Sequence, residues 1–350
     1  MSFKIIFNIF LCSIIFLIIF YNKSLIKTKE KKNITVLQGK TMGTYWQVKI
    51  PNLKKKIYIK HLIQTCLNKD ETMLSSWKKK SIVSQFNKRK KNELQIINKN
   101  FYHIISKAIE INKKTNGKLD ITIGSLINIW GFGNTSKPNR YPSAIKIKKN
   151  IAISGIQHLK IIKKKFFIYL KKDIDSIKIN LSTLGEGFAV DHLSYVLNKQ
   201  KIKNYTISVG GTVLVKTKNN KEKPKIIAIQ KPIDQYQSAH LLIYLKNNSI
   251  STAGSYRNYY YLQGKRISHL IDPDTGKPIT HNLVSVSVIA HTALEADSWD
   301  TGLLIMGFKK AKKLILKEKL SVCLITKKKN IFLTWMSPKF KKFLIKENNF

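Results

Sequence analysis

The sequence predicts an α+β fold: one globular domain over residues 34–350, behind a short N-terminal anchor and basic linker over residues 1–33. Three observations carry this. Short runs of β-forming residues are interleaved with only a few amphipathic stretches, without the regular alternation that builds a parallel βαβ sheet. Hydrophobic residues are 43% and charged residues 24% of the 350, a globular composition that excludes a mostly disordered chain, a collagen-like fibre and a many-helix transporter. Eight Pro and sixteen Gly leave little room for linkers, and no internal repeat is found.

The elements follow in order. Residues 5–21 form an apolar run interrupted by Asn8, Cys12 and Ser13, at the short limit for a membrane span and long for a signal-peptide core. Lys4 supplies a minimal basic start, and no small-residue cleavage site follows. An uncleaved anchor is the first reading and lipidation at Cys12 the second, since Leu11 is not the small residue that a lipoprotein signal places before its cysteine. Lys23, Lys27, Lys29, Lys31 and Lys32 flank the far side, where the positive-inside rule argues against export. Residues 34–50 read as extended. Helices are expected near residues 61–73, with Leu62, Ile63, Cys66 and Leu67 on one face, and near 101–116, closed by Gly117 as a C-cap. Residues 159–181 read as strands and 188–199 as an amphipathic helix. Strands are expected over 205–209, 213–217, 226–230, 241–245, 256–262 and 284–290. Helices over 293–306 and 309–317 and a hairpin over 321–335 complete the chain.

Lys and Arg total 64 against 19 acids, a net charge of +45. Taken alone, that suggests nucleic acid or an anionic membrane. Only Arg89, Arg140, Arg257 and Arg266 are arginines, however, and readers of bases and phosphates lean on arginine. Lys, Ile and Asn are abundant together, as an AT-rich genome favours. The charge is therefore read as compositional, with no nucleic-acid partner. Cys12, Cys66 and Cys323 make no CxxC, and Cys66 and Cys323 are expected as buried free thiols rather than a disulfide.

Four clusters carry chemistry. In ALEADSWDTG, residues 293–302, Asp297, Asp300 and Thr301 stand at i, i+3 and i+4, on one helical face. Two such carboxylates repel unless a cation or protons neutralise them, and hard oxygen donors suit Mg²⁺. The competing reading is a solvated helix face. In NLSTLGEGFAVDH, residues 180–192, a strand ends, Glu186 sits between two glycines and a helix begins, either an anion site or an ordinary strand–helix turn. Gly210-Gly211 permits close backbone approach or a tight turn. In SHLIDPDTGKPI, residues 268–279, His269 precedes a turn; a single His is more often structural than catalytic. KLDITIGSLINIWGFG, residues 118–133, reads either as a loop that binds a flat ring and a polyol or as a core strand and turn.

The order of these motifs is more specific than any one of them. GKTMGTYW, LSSWKKKS, LDITIGSLINIWGFG, LSTLGEG with VDH, SVGG, ISTAGSYRNYY, SHLIDPDTGKPI and ALEADSWDTGLLIMG together resemble the ApbE family of flavin transferases over residues 36–344. The resemblance implies an α+β fold and an enzyme that takes FAD, transfers its FMN half to a Thr or Ser hydroxyl of a target protein and releases AMP. It implies targets among subunits of membrane redox pumps of the Rnf and Nqr kind, and a location at the periplasmic side of the inner membrane. It implies FAD contacts at Met42, Trp77, Lys118, Leu119, Asp120, Asn180, Glu186 and Ile271, and Mg²⁺ ligands at Thr183, Asp297, Asp300 and Thr301. His269 matches the His near the reacting diphosphate; His269 or Asp297 is the candidate base.

Three departures stand out. Asn180 replaces an Asp of close relatives, Trp77 replaces a frequent Tyr, and Cys12 lacks its small neighbour. The rival readings are an FAD pyrophosphatase with water as nucleophile and a non-catalytic flavin-binding anchored protein. Intact Asp297, Asp300 and Thr301 argue against the second.

Overall fold

The computed structural model describes residues 33–345 apart from Asn220 and Asn330. The apolar run, Cys12 and the lysines up to Lys32 lie outside the described residues. No helix among the described residues is long and apolar enough to cross a membrane.

The chain opens with a hairpin, β1 (Ile34–Thr41) and β2 (Thr44–Pro51). Its turn is Met42 and Gly43, at φ 49° and 75°, the left-handed pair that a tight hairpin turn demands. Then come α1 (Lys56–Leu74), α2 (Ile82–Lys88), β3 (Gln95–Ile97), α3 (Lys99–Lys114), α4 (Gly124–Ile129) and α5 (Ala144–Ala152). The β4 (Leu159–Lys164) and β5 (Phe167–Lys172) hairpin precedes α6 (Ser182–Lys199). The strands β6 (Tyr205–Val209), β7 (Thr212–Lys216), β8 (Lys225–Gln230), β9 (Ala239–Leu245), β10 (Ser249–Gly254), β11 (Tyr259–Leu262) and β12 (Lys265–Ser268) follow. Two-residue β13 (Ile271–Asp272) and β14 (Lys277–Pro278) lead to β15 (Leu283–Ala290), α7 (Ala293–Met306) and α8 (Phe308–Lys317). The hairpin of β16 (Ser321–Lys328) and β17 (Ile331–Met336), with α9 (Pro338–Lys341), closes the domain.

The central sheet has the order β1-β2-β6-β7-β10-β15-β16-β17. From β2 onward its neighbours pair antiparallel. Three apolar clusters pack helices on it or beside it. Leu37, Trp46 and Val48 of the first hairpin meet Ile63 and Leu67 of α1 and Leu193 of α6. Trp299, Leu303 and Leu304 of α7 meet Val286 and Val288 of β15 and Val322 of β16. Phe101, Ile104 and Ile105 of α3 meet Leu184 and Phe188 of α6. Each fully buried Leu or Ile in these clusters stabilises by roughly 1.5–3 kcal/mol.

The α7 helix is the pivot. All its residues except Glu295 and Met306 are buried, as expected of a helix that is apolar on most sides. Its free N–H groups are satisfied twice over. Thr292 accepts from the Glu295 N–H at 3.2 Å, and Asp191 of α6 accepts from Ala293 and Leu294, both at 2.9 Å. Losing such a cap costs about 0.5–2 kcal/mol. Gly307, at φ 74°, ends the helix.

The structure adds α2, α5, β3 and β10, for which the sequence reading expected no element, and departs from that reading in four further places. Residues 173–181 are not a strand beyond one isolated bridge, Ile123 to Lys178. The Asn87 side chain serves the Ile179 backbone instead, accepting its N–H at 2.8 Å and donating to its carbonyl at 3.0 Å, so no ladder is needed there. The α6 helix begins at Ser182 rather than 188, which places Gly185, Glu186 and Gly187 inside it. The strand expected over 256–262 shortens to β11. Residues 118–133 include α4 rather than an open loop, and Trp130 is buried, its indole N–H donating to the Gly276 carbonyl at 2.8 Å. Cys66 and Cys323 are buried free thiols.

Candidate active site

A cavity of about 1020 Å³ opens where the β1–β2 turn, the end of α1, the start of α6, the β6–β7 turn, β10 and one face of α7 meet. That is the upper end of small-molecule pocket sizes. Ten of the residues singled out from sequence line it: Met42, Trp77, Asn180, Thr183, Glu186, His269, Ile271, Asp297, Asp300 and Thr301. Lys118, Leu119 and Asp120 do not. Lys118 is buried, bonded to Asp272 at 2.5 Å and Asp274 at 2.8 Å. Leu119 is in the α7 core. Asp120 accepts the Thr122 N–H and hydroxyl at 2.7 and 2.6 Å. Lys118 thus braces the loop that carries Ile271, and Asp120 the turn before α4.

Close packing of α6 on α7 builds the acidic floor. A Cβ on Gly187 would stand 2.6 Å from both the Ala293 carbonyl and the Asp297 Cβ. Glycine alone lets the helices approach, and its N–H then donates to Asp297 Oδ2 at 2.7 Å. Ser251 of β10 donates to Asp297 Oδ1 at 3.3 Å, and Thr301 to Asp300 Oδ1 at 3.1 Å. Asp297 and Asp300 are 7% and 1% exposed, so they are not on a solvated face. Burial pushes Asp297 well above the carboxylate range, Asp300 and Glu186 add repulsion, and the Gly187 and Ser251 donors only partly oppose it. Burial likewise pushes Asp300 up to about 8. Burial also raises Glu186, whose Oε2 accepts the Gly211 N–H at 2.8 Å. Two buried carboxylates with a half-buried third beside them are poorly matched to an empty apolar interior and well matched to a hard cation.

Glycines also make the opposite wall. Gly210, at φ 52°, would place a Cβ 2.0 Å from Glu186 Oε1. The Gly-Gly pair is thus both a turn and a close approach, and it holds the Glu186 carboxylate. Trp77 stands at the cavity 65% exposed. Its loop is shaped by Ser75, whose hydroxyl accepts the N–H groups of Trp77 and Lys78 at 3.1 and 3.2 Å. Asn180 accepts from Ser182 N–H at 2.9 Å and Ser182 hydroxyl at 2.6 Å through the same Oδ1.

His269 has a defined tautomer. Its Nδ1 lies 3.0 Å from the Asn258 carbonyl, which only accepts, so Nδ1 carries the proton and Nε2 keeps its lone pair. Burial lowers its pKa, so the ring is neutral at pH 7. Asp297 differs, because both its oxygens already accept hydrogen bonds.

Sequence reasoning missed several contributors. Arg257 lines the cavity, and its charge acts on Glu186. Its signal was its rarity, one of four arginines and just after a strand. Ser251 and Asp191 lie in the motifs ISTAGSYRNYY and VDH, but their partners were not legible, since only folding brings them to α7.

The model of the ApbE family matches residues 42–324. The chain belongs to the ApbE family. Its relatives include the FAD:protein FMN transferase of Buchnera aphidicola subsp. Schizaphis graminum, 66% identical over 99% of both chains. The FAD:protein FMN transferase of Escherichia coli K12 is 45% identical, over 90% of this chain and 91% of that protein. The structure of the flavin transferase ApbE from Vibrio cholerae superposes with a TM-score of 0.80 at 33% identity, covering 89% of this chain and all of that one. The ApbE fold, α+β with a large antiparallel sheet, is the fold found here.

Proposed function

We propose that this ApbE-family chain transfers FMN from FAD to a Thr or Ser hydroxyl of a target protein and releases AMP. The observation that carries the reading is one cavity that joins buried, mutually repelling carboxylates to a histidine with an unoccupied Nε2. The relatives' activity, in their printed names, supports it.

Thr183, Asp297, Asp300 and Thr301 are the residues that would hold Mg²⁺, which when bound supplies charge neutralisation at a diphosphate and its leaving group. The chain's own groups account for the rest. Trp77 and Met42 offer flat and soft apolar surface for a ring system. Arg257 offers a guanidinium to phosphate oxygens. The acceptor hydroxyl gives its proton to His269 Nε2 as its oxygen bonds to the FMN-side phosphorus. The phosphorus–oxygen bond to the AMP half breaks in the same step, and AMP leaves. A neutral, half-buried His with its other nitrogen fixed by a carbonyl suits that role better than Asp297.

Acceptors are proposed among subunits of Rnf- and Nqr-type redox complexes. The enzyme is placed at the periplasmic side of the inner membrane, held by residues 1–33. A reporter fused after Phe350 that works only in the cytoplasm would overturn that orientation.

The test is an incubation of the protein with FAD, Mg²⁺ and a candidate acceptor, followed by intact mass. A gain on the acceptor equal to the FMN moiety, with AMP in solution, supports transfer. AMP and free FMN with an unmodified acceptor would mean that water is the nucleophile, and the enzyme a pyrophosphatase.

A further inference from the structure

A second cluster lies away from the active-site cavity, between α1 and α6. Cys66 and Asp70 stand at i and i+4 on α1 and share one face. His192 of α6 meets them. Cys66 Sγ is 3.4 Å from His192 Nδ1 and donates to Asp70 Oδ2 at 3.8 Å, while Asp70 Oδ1 is 2.7 Å from His192 Nδ1. Their ligand atoms all lie within 4.8 Å of one another, alone among such groups of three or more His, Cys, Asp and Glu in the described residues. Cys66 and Asp70 are buried and His192 is half-buried. None of the three lines the active-site cavity.

A thiol adds little to an Asp–His hydrogen bond that is already complete. A metal would use all three. Thiolate, imidazole and carboxylate are the ligand set of zinc, with bonds of about 2.0–2.3 Å that set tetrahedral ligand atoms roughly 3.3–3.6 Å apart. The sulfur–nitrogen and sulfur–oxygen separations already stand near that spacing. The Asp–His hydrogen bond, made through Oδ1 while the sulfur faces Oδ2, has to open by roughly 0.6 Å, with one of the two oxygens turning to the ion.

We propose that Cys66, Asp70 and His192 form a second metal site for a zinc-class divalent cation, with water in the fourth position. On binding, the Cys66 S–H bond breaks, its proton passes to solvent and a sulfur–metal bond forms. The His192 proton moves from Nδ1 to Nε2, which turns the Nδ1 lone pair to the ion. Without metal the site holds an unreactive thiol: burial, with Asp70 beside it, pushes Cys66 up to about 12.

The position gives the site a consequence. Further along α1, Glu71 and Leu74 line the active-site cavity, and α6 begins with Thr183 and Glu186, which also line it. A metal bridging Cys66 and Asp70 to His192 pins two walls of the cavity to each other and holds them in place. It is a positioning device and touches no reacting atom.

Cobalt(II) is the probe. Thiolate ligation to Co²⁺ gives a near-ultraviolet charge-transfer band that oxygen ligands do not give, and no cysteine among the described residues lines the active-site cavity. The full chain titrated with Co²⁺ is expected to develop the band, and Zn²⁺ is expected to abolish it. Cys66→Ser, close to isosteric, is expected to lose it while keeping its far-ultraviolet dichroism. His192→Phe keeps a ring against Phe188 and Tyr195 but removes the nitrogen, and is the second variant should Cys66→Ser unfold. No band in the parent protein, a band that survives Cys66→Ser, or an undiminished band in His192→Phe would overturn the site.

Discussion

Asn180 sits where close relatives are expected to carry Asp, and its Oδ1 already holds the Ser182 N–H and hydroxyl at the start of α6. An Asp carboxylate reproduces both bonds, because both use Asn180 as acceptor. It also places negative charge at a helix N-terminus, worth about 0.3–1 kcal/mol. Asn180→Asp is therefore expected to keep or raise FMN transfer and to melt no lower than the parent. A large loss of transfer with the fold intact would mean that the cavity requires the neutral amide. Residue-scale reasoning reached Asp297, Asp300 and Thr301 from spacing alone, because α7 is regular and i, i+3, i+4 fixes a face. It missed Arg257, which lines the cavity, and Ser251, which bonds to Asp297; both depend on where β10 pairs in the sheet rather than on local period.

At the scale of elements, the α6–α7 contact rests on one glycine. Gly187→Ala puts a methyl 2.6 Å from backbone and side chain of α7, and neither neighbour is a flexible tip. Overpacking of this kind costs about 1–3 kcal/mol. The variant is expected to melt lower and, as the helices separate, to lose transfer; an unchanged melting temperature would show that the contact is soft. A second element-scale test concerns the β5 hairpin. Lys172 is fully buried, its ammonium donating to the carbonyls of Asn87, Asp175 and Ile177 at 3.2, 2.9 and 3.1 Å. Burial lowers its pKa to about 8, against about 10.4 in the unfolded chain. Between those values the unfolded state binds more protons, so this group's contribution to stability rises with pH. The melting temperature of the parent relative to Lys172→Met is expected to climb from pH 8 to pH 10. A flat difference would show that Lys172 stays charged throughout. The five longest helices and most strands were legible from period and turn chemistry, whereas the short α2, α4, α5 and α9 were not. The start of α6 was not, since two glycines argue locally against helix and only the packing on α7 requires them there.

For the whole molecule, the α+β class was legible because strands and helices do not alternate regularly. The strand order was not, because the β1–β2 hairpin, the β6–β7 hairpin and β10 are brought together by long connections that leave no sequence period. The net charge of +45 is a whole-molecule property as well. Its lysines are spread along the chain, and three of its four arginines are engaged in the fold: Arg266 stacks on Tyr259 at 3.8 Å, Arg89 donates to Gln95 at 3.0 Å, and Arg257 donates to Gln230. Duplex DNA is expected to bind only weakly and without sequence preference, at roughly 10⁻⁴–10⁻⁶ M at physiological salt. Sequence-selective nanomolar binding at that salt would contradict this. The central claim is that the buried carboxylates serve chemistry at a cost in stability, and one paired measurement on Asp297→Asn addresses it. The amide keeps the side chain's shape and can still accept the Gly187 N–H, but it removes a charge that Asp300 and Glu186 repel. The account predicts that the variant melts at or above the parent in EDTA, while acceptor flavinylation with FAD and Mg²⁺, read by intact mass, slows by on the order of 10²–10³. A variant that melts far below the parent in EDTA yet transfers FMN at the parent's rate would contradict it.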